Sequence, residues 1–200
     1  MKLLSLSALC SLLLAASAPA AVIYSGSVNH AMPVNPTGFY LNPLSGATST
    51  ILPGDWNTAP WINPFFGGVY IATDDLLRPV ITGADQIVNL ASGTVIGSLS
   101  TFAVAESGSS THVGTAVEQF QLGAPGILGF AFQPTTGGST HYGWMRLTIN
   151  NTGSGTLHDY AYENAAGTAI LAGLTTSVPE PSRVVLMLGG LLAVSLRRRR

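Results

Sequence analysis

Cysteine is almost missing from this chain. The one thiol, Cys10, lies inside an apolar stretch near the N-terminus, so the rest of the sequence can form no disulfide, offers no thiol nucleophile and supplies no cysteine to a metal. Leu9 stands where a bacterial lipoprotein signal carries a small residue, and Cys10 falls in the middle of the apolar run, so it reads as a small apolar residue and not as a lipid anchor. Basic residues are nearly as scarce. Between Ala21 and Val178 they are Arg78 and Arg146, against Asp55, Asp74, Asp75, Asp85, Glu106, Glu118, Asp159 and Glu163, two positive against eight negative, a net of minus six. A nucleic-acid binder neutralises phosphates with clustered lysine and arginine. This region supplies no such cluster, and that class is excluded.

The spacings of familiar catalytic and metal sites are lacking as well. None of His30, His112, His141 and His158 stands in a His-x-x-x-His pair, and His158 and Asp159 are neighbours that a strand would point to opposite faces. Calcium loops of alternating aspartates are missing, and Gly67-Gly68 and Gly137-Gly138 have no phosphate-loop context. Asp74-Asp75 read as solvated loop charges. No Gly-x-Ser-x-Gly stands between a strand and a helix. Neither a metal, a cofactor nor enzymatic activity is expected.

What the sequence does have, in its interior, is Thr, Ser, Gly, Pro and aromatics, a composition that favours strands and turns. The expected fold is mainly β, an antiparallel β-sandwich-like domain over residues 21–177, of a size that can bury a core unaided. Strands are predicted over 22–28, 68–72, 86–90, 94–98, 102–105, 126–133, 141–150, 156–164 and 169–171, with a short helix considered over 73–77. Residues 32–64 carry Pro33, Pro36, Pro43, Pro53, Pro60 and Pro64, which predicts loops with short edge segments. Trp56, Trp61, Phe65 and Phe66 are expected to cover one side of the core.

Both ends read as signals. Met1-Lys2 opens a run of Leu, Ala and Ser, and Ala18-Pro19-Ala20 places small residues where signal peptidase reads them. Residues 1–20 are therefore expected to form a signal helix, cleaved between Ala20 and Ala21. At the other end, Val178-Pro179-Glu180-Pro181-Ser182 is followed by Arg183, by thirteen apolar residues over 184–196, and by Arg197, Arg198, Arg199 and Arg200. A helix of that length rises about 20 Å against a hydrocarbon core of about 30 Å. Snorkelling of Arg183 and local thinning of the bilayer can close the gap. The terminal arginines hold the C-terminus on the cytoplasmic side, so the two ends agree on one topology with residues 21–177 outside. The prolines keep 178–181 extended, the form a protease takes.

The order of these three parts, Val178 to Ser182, then the short Leu/Gly/Ala-rich span, then Arg197 to Arg200, resembles the PEP-CTERM sorting signal. The resemblance implies a Gram-negative cell that makes exopolysaccharide, an exosortase-like enzyme acting near Pro179-Glu180-Pro181, and release or transfer to the cell surface. It covers 178–200. A second stretch, His141-Tyr142-Gly143-Trp144 with Arg146 and then Asp159-Tyr160-Ala161-Tyr162-Glu163, looks like a segment common in the bodies of such proteins. It implies a shared β-rich domain and carries no activity with it.

Residues 141–150 alternate cleanly. Met145, Leu147 and Ile149 lie on one face, and Tyr142, Trp144, Arg146 and Thr148 on the other. A turn at 151–155 leads to a return strand carrying His158, Tyr160 and Tyr162. If Thr148 opposes His158, then Arg146 opposes Tyr160 and Trp144 opposes Tyr162, which makes an aromatic ladder with a stacked guanidinium. Trp144, Tyr160 and Tyr162 are then candidates for stacking on sugar rings, or for core positions. The expected function is that of a non-enzymatic surface or matrix protein, structural or adhesive in an exopolysaccharide envelope, with signal peptidase, the exosortase-like enzyme and the membrane as processing partners. A carbohydrate-binding module using the aromatic face is the alternative. An envelope hydrolase is a third reading.

Overall fold

A computed structural model describes residues 20–34, 37–65, 70–73, 76–82, 86–103, 113–150 and 154–176, with the side chains of 65 and 70–73 left aside. Residues 1–19 of the signal helix expected over 1–20, the expected sorting motif over 178–182 and the expected span over 184–196 lie outside the described residues. Among the described residues there is no helix, and none long and apolar enough to cross a membrane.

The chain is mainly β and every named strand pair is antiparallel. The strands are β1 (Val22–Tyr24), β2 (His30–Met32), β3 (Tyr40–Leu41), β4 (Thr48–Ser49), β5 (Ile62–Phe65), β6 (Tyr70–Thr73), β7 (Leu77–Pro79), β8 (Val95–Ile96), β9 (Pro125–Phe132), β10 (His141–Ile149), β11 (Gly155–Glu163) and β12 (Ile170–Leu171). The principal sheet runs β1-β11-β10-β9-β7, with β2 also on β11. A second sheet runs β4-β3-β5-β6, and β12 pairs β8.

The long strands form where hydrophobic and β-favouring residues run without an internal proline; Pro125 stands at the first position of β9, where the missing amide is tolerated. Register sorts their side chains into two layers. Leu128, Met145 and Tyr160 are cross-strand neighbours, as are Phe130, Gly143 and Tyr162. With Phe132, Leu147, Ile149 and Leu157 they make one face, buried with Leu41, Ile62, Ile87 and Phe120. The other face carries Ala131, Tyr142, Trp144 and Ala161, buried with Val80, Val88, Ile96, Ile170 and Ala172. Both faces of the sheet are therefore covered, which explains why β10 is buried almost continuously from Tyr142 to Met145.

In the 32–64 segment the short pieces expected among the prolines are the end of β2, then β3, β4 and most of β5, with Pro64 inside β5. Other expectations change. Residues 86–90, and 102–103 of the strand expected over 102–105, supply single bridges, Val80 with Phe102, Ile81 with Ile87 and Asn89 with Leu128, and no longer strand among the described residues. Of the range 73–77 considered for a helix, Thr73 closes β6 and Leu77 opens β7, while residues 74 and 75 lie outside the described residues. Strand β1 stops at Tyr24, after which Val28 and Asn29 donate their amides to the carbonyl of His158 at 2.8 and 3.2 Å.

That contact marks the largest correction. Between Arg146 and Leu147 the β10–β11 register shifts, so that Arg146 faces Asp159 while Leu147 faces Leu157. His158 is the extra residue of a β-bulge. One extra residue inverts which side chains share a face. Trp144 therefore opposes Ala161 and Tyr162 opposes Gly143, and the ladder of Trp144, Arg146, Tyr160 and Tyr162 does not form.

Candidate functional site

Of the residues singled out in the sequence, Ala18, Val178, Pro179, Glu180, Pro181, Ser182 and the arginines 197–200 lie outside the described residues. Ala20 and Ala21 are described, at the entry to β1.

Trp144 is fully buried. Its indole Nε1 donates to the Leu174 carbonyl at 3.1 Å, and its ring meets Tyr24 at 6.4 Å between centroids. The Arg146 guanidinium lies 5.6 Å from the ring centroid. Tyr160 and Tyr162 point to the opposite layer, where Tyr162 meets Phe132 edge-on at 5.4 Å. The three aromatics thus offer no common platform to a sugar. The stretch ending at Leu174 covers the face on which Trp144 stands.

The bulge delivers Asp159 to that same covered face, where it is 5% exposed. One carboxylate oxygen lies 3.1 Å from Arg146 Nε, close enough for an ion pair but not aligned as a hydrogen bond. The other accepts the Tyr24 hydroxyl at 2.9 Å. That hydrogen bond, followed by burial, raises the Tyr24 phenol above its ordinary value of 10.0. Two chain segments remote in sequence are tied through one carboxylate, which is a structural role.

Among the described residues no group of three His, Asp or Glu side chains is placed to hold a metal. His30 packs against Phe39, His141 stacks on Phe132, and His158 bonds Thr148 Oγ1 at 2.8 Å. His112 lies outside the described residues.

A concave site forms elsewhere. Register sets Arg78 beside Ala131 on β9, and Ala131 beside Tyr142 on β10. A small residue between two long ones leaves a trough across three strands. One step along β9, the space over Gly129 is filled by Leu90, Val80 and Ile96. Over Ala131 it stays open, as a cleft of about 580 Å³ whose rim includes Ser98, Gln133 and Thr140. Phe102 forms a wall, its ring stacked on Tyr142 at 5.8 Å and 19°. The cleft thus offers a guanidinium, an amide, two hydroxyls and an aromatic wall. Sequence reasoning missed it. Its one legible trace is the alternation of small Gly129 and Ala131 with large Leu128, Phe130 and Phe132.

In comparison with known proteins, no family model, no curated protein and no solved structure matches this chain.

Proposed function

We propose that this chain is an exported, non-enzymatic protein of a bacterial cell surface or extracellular matrix, delivered by a cleaved N-terminal signal and sorted by a PEP-CTERM-like tail. The observation that carries the reading is the order of the C-terminal parts in the sequence: the Val178 to Ser182 motif, a thirteen-residue apolar run and Arg197 to Arg200. In this reading residues 1–20 form the signal helix and 184–196 a short membrane-spanning helix. The β domain between them is sandwich-like, its principal sheet layered against the smaller ones. An exosortase-like enzyme processes the tail, and the domain serves a structural or adhesive role in an exopolysaccharide envelope.

Intact mass of the protein from cell-surface and culture fractions tests this. A product that starts at Ala21 and ends between Pro179 and Ser182 is expected. A product that keeps Arg197 to Arg200 would leave a permanent single-span anchor and overturn the sorting.

The cleft over Ala131 favours a second reading, a saccharide-binding role at a place other than the aromatic hairpin. Its volume is that of a small-ligand site. Hydroxyl and amide groups suit sugar hydroxyls, an aromatic wall suits a pyranose C–H face, and a guanidinium suits a carboxylate. With five donors, Arg78 can hold a neighbour of its own chain and a ligand together. The ligand class is an acidic saccharide, one that contains a uronic acid. Titration calorimetry with a uronic-acid oligosaccharide should show binding that weakens about tenfold or more in Arg78→Met. Equal binding of a neutral oligosaccharide, or no effect of Arg78→Met, would dismiss the assignment.

A further inference from the structure

The residue expected to follow signal cleavage is held against a carboxylate. The Ala21 backbone nitrogen lies 2.8 Å from Glu163 Oε1 and 2.9 Å from Asn164 Oδ1. The arrangement follows from sheet register: Val22 pairs with Glu163, and the Asn164 amide donates to the Ala21 carbonyl at 3.0 Å. The end of β1 is thereby fixed over the end of β11.

Two features of this contact do not suit an ordinary peptide amide. An amide nitrogen carries one hydrogen and cannot serve two acceptors at such distances with full strength, whereas an ammonium carries three. Glu163, moreover, is 5% exposed, and its Oε1 is served by backbone amides, those of Ala21 and of Ala165 at 3.0 Å. Among the described residues no Lys, Arg or His side chain forms an ion pair with it. A carboxylate buried without a counter-charge is costly. Ala21 itself is half-buried, so a charge on its nitrogen stays partly hydrated.

We propose that Glu163 and Asn164 form a binding site for the chain's own α-ammonium, created when the Ala20–Ala21 bond is cut. The inference rests on the cleavage reading above. Hydrolysis breaks that C–N bond with one water. The water oxygen completes the Ala20 carboxylate that leaves with the signal, and both water protons end on the Ala21 nitrogen, which becomes –NH3+. The neutral amide at 2.8 Å from Glu163 is replaced by a cation with donors for both Glu163 and Asn164. Removal of the signal therefore tightens the β1–β11 edge, and the mature chain is more stable than its precursor.

The sequence makes the test selective. Lys2 is the one lysine of the chain, so after cleavage the α-amine is its single primary amine. Mature protein recovered from cells is acetylated with an amine-selective reagent, and thermal unfolding is compared before and after, in the wild type and in Glu163→Gln. Acetylation restores a neutral amide with one hydrogen. It is expected to lower Tm by about 5 °C in the wild type and to leave Glu163→Gln unchanged. An unchanged wild-type Tm, or an equal fall in Glu163→Gln, overturns the proposal. If Glu163→Gln does not fold, acetylation rates in the wild type decide. Reaction on the order of tenfold slower in the native than in the unfolded chain supports the site, and equal rates overturn it. N-terminal sequencing separates the two readings. A mature start other than Ala21 refutes the cleavage position, and a chain cut at an engineered protease site to begin at Ala21 then tests the ammonium site by itself.

Discussion

Trp144→Ala is expected to destabilise the domain by about 4 kcal/mol, in the range of large-to-small changes at fully buried aromatics. Trp144 is 0% exposed and stands at the centre of the layer formed with Val80, Val88, Ile96 and Ile170. Truncation opens a void between β10 and the segment that carries β12, and it leaves the Leu174 carbonyl without its indole donor. Urea unfolding followed by far-UV circular dichroism gives the magnitude. Trp144→Phe keeps most of the volume but not the donor, and should retain more than half of the lost stability. A Trp144→Ala chain that folds like the wild type while losing saccharide binding would reinstate the aromatic platform and contradict the packing described here.

Asp159→Ala is expected to cost about 2 to 3 kcal/mol, somewhat below the figure for breaking a fully buried ion pair because the Arg146 side chain is 37% exposed. The substitution leaves the Tyr24 hydroxyl and Arg146 Nε without the carboxylate that joins β1, β10 and β11. It also carries a signature in pH. Asp159 raises the Tyr24 phenol, so the native state holds it protonated where the unfolded chain already ionises. The stability this represents is present below about pH 10 and is lost as the pH rises through the native value. The wild type should therefore lose stability on passing above pH 10, and Asp159→Ala should lose less over the same interval. Thermal unfolding at a series of alkaline pH values, with phenolate absorbance followed in parallel, measures both. An alkaline loss as large in Asp159→Ala as in the wild type would assign the effect to other groups. Tyr160 and Tyr162, both raised by burial, are the ones to examine next.

The β character, the two long strands of the 141–163 hairpin and the strand before them were legible because local composition and period-two alternation govern them. Residues 126–133, 141–150 and 156–164 were expected as strands, and β9, β10 and β11 lie within a residue or so of those bounds. Beyond that, local pattern misled. Alternation placed Trp144 opposite Met145 correctly. It could not say that the outer face would be covered, because the cover comes from β8 and β12, and from Leu174 some thirty residues on. Nor could it locate the bulge. His158 is extruded because loop amides at Val28 and Asn29, far back in the chain, take its carbonyl.

By itself the sequence determined the strand-rich body, its acidic balance and the signal-like order of both ends, since each depends on residue type and local spacing alone. The tertiary structure decided which residues meet. It sank Trp144 into the core, turned Asp159 toward Tyr24 and Arg146, left the trough over Ala131 open and set Ala21 against Glu163. The physical reason is register: in a sheet covered on both faces, one extra residue in one strand exchanges every partner beyond it, and the contacts that hold that residue come from the other end of the chain.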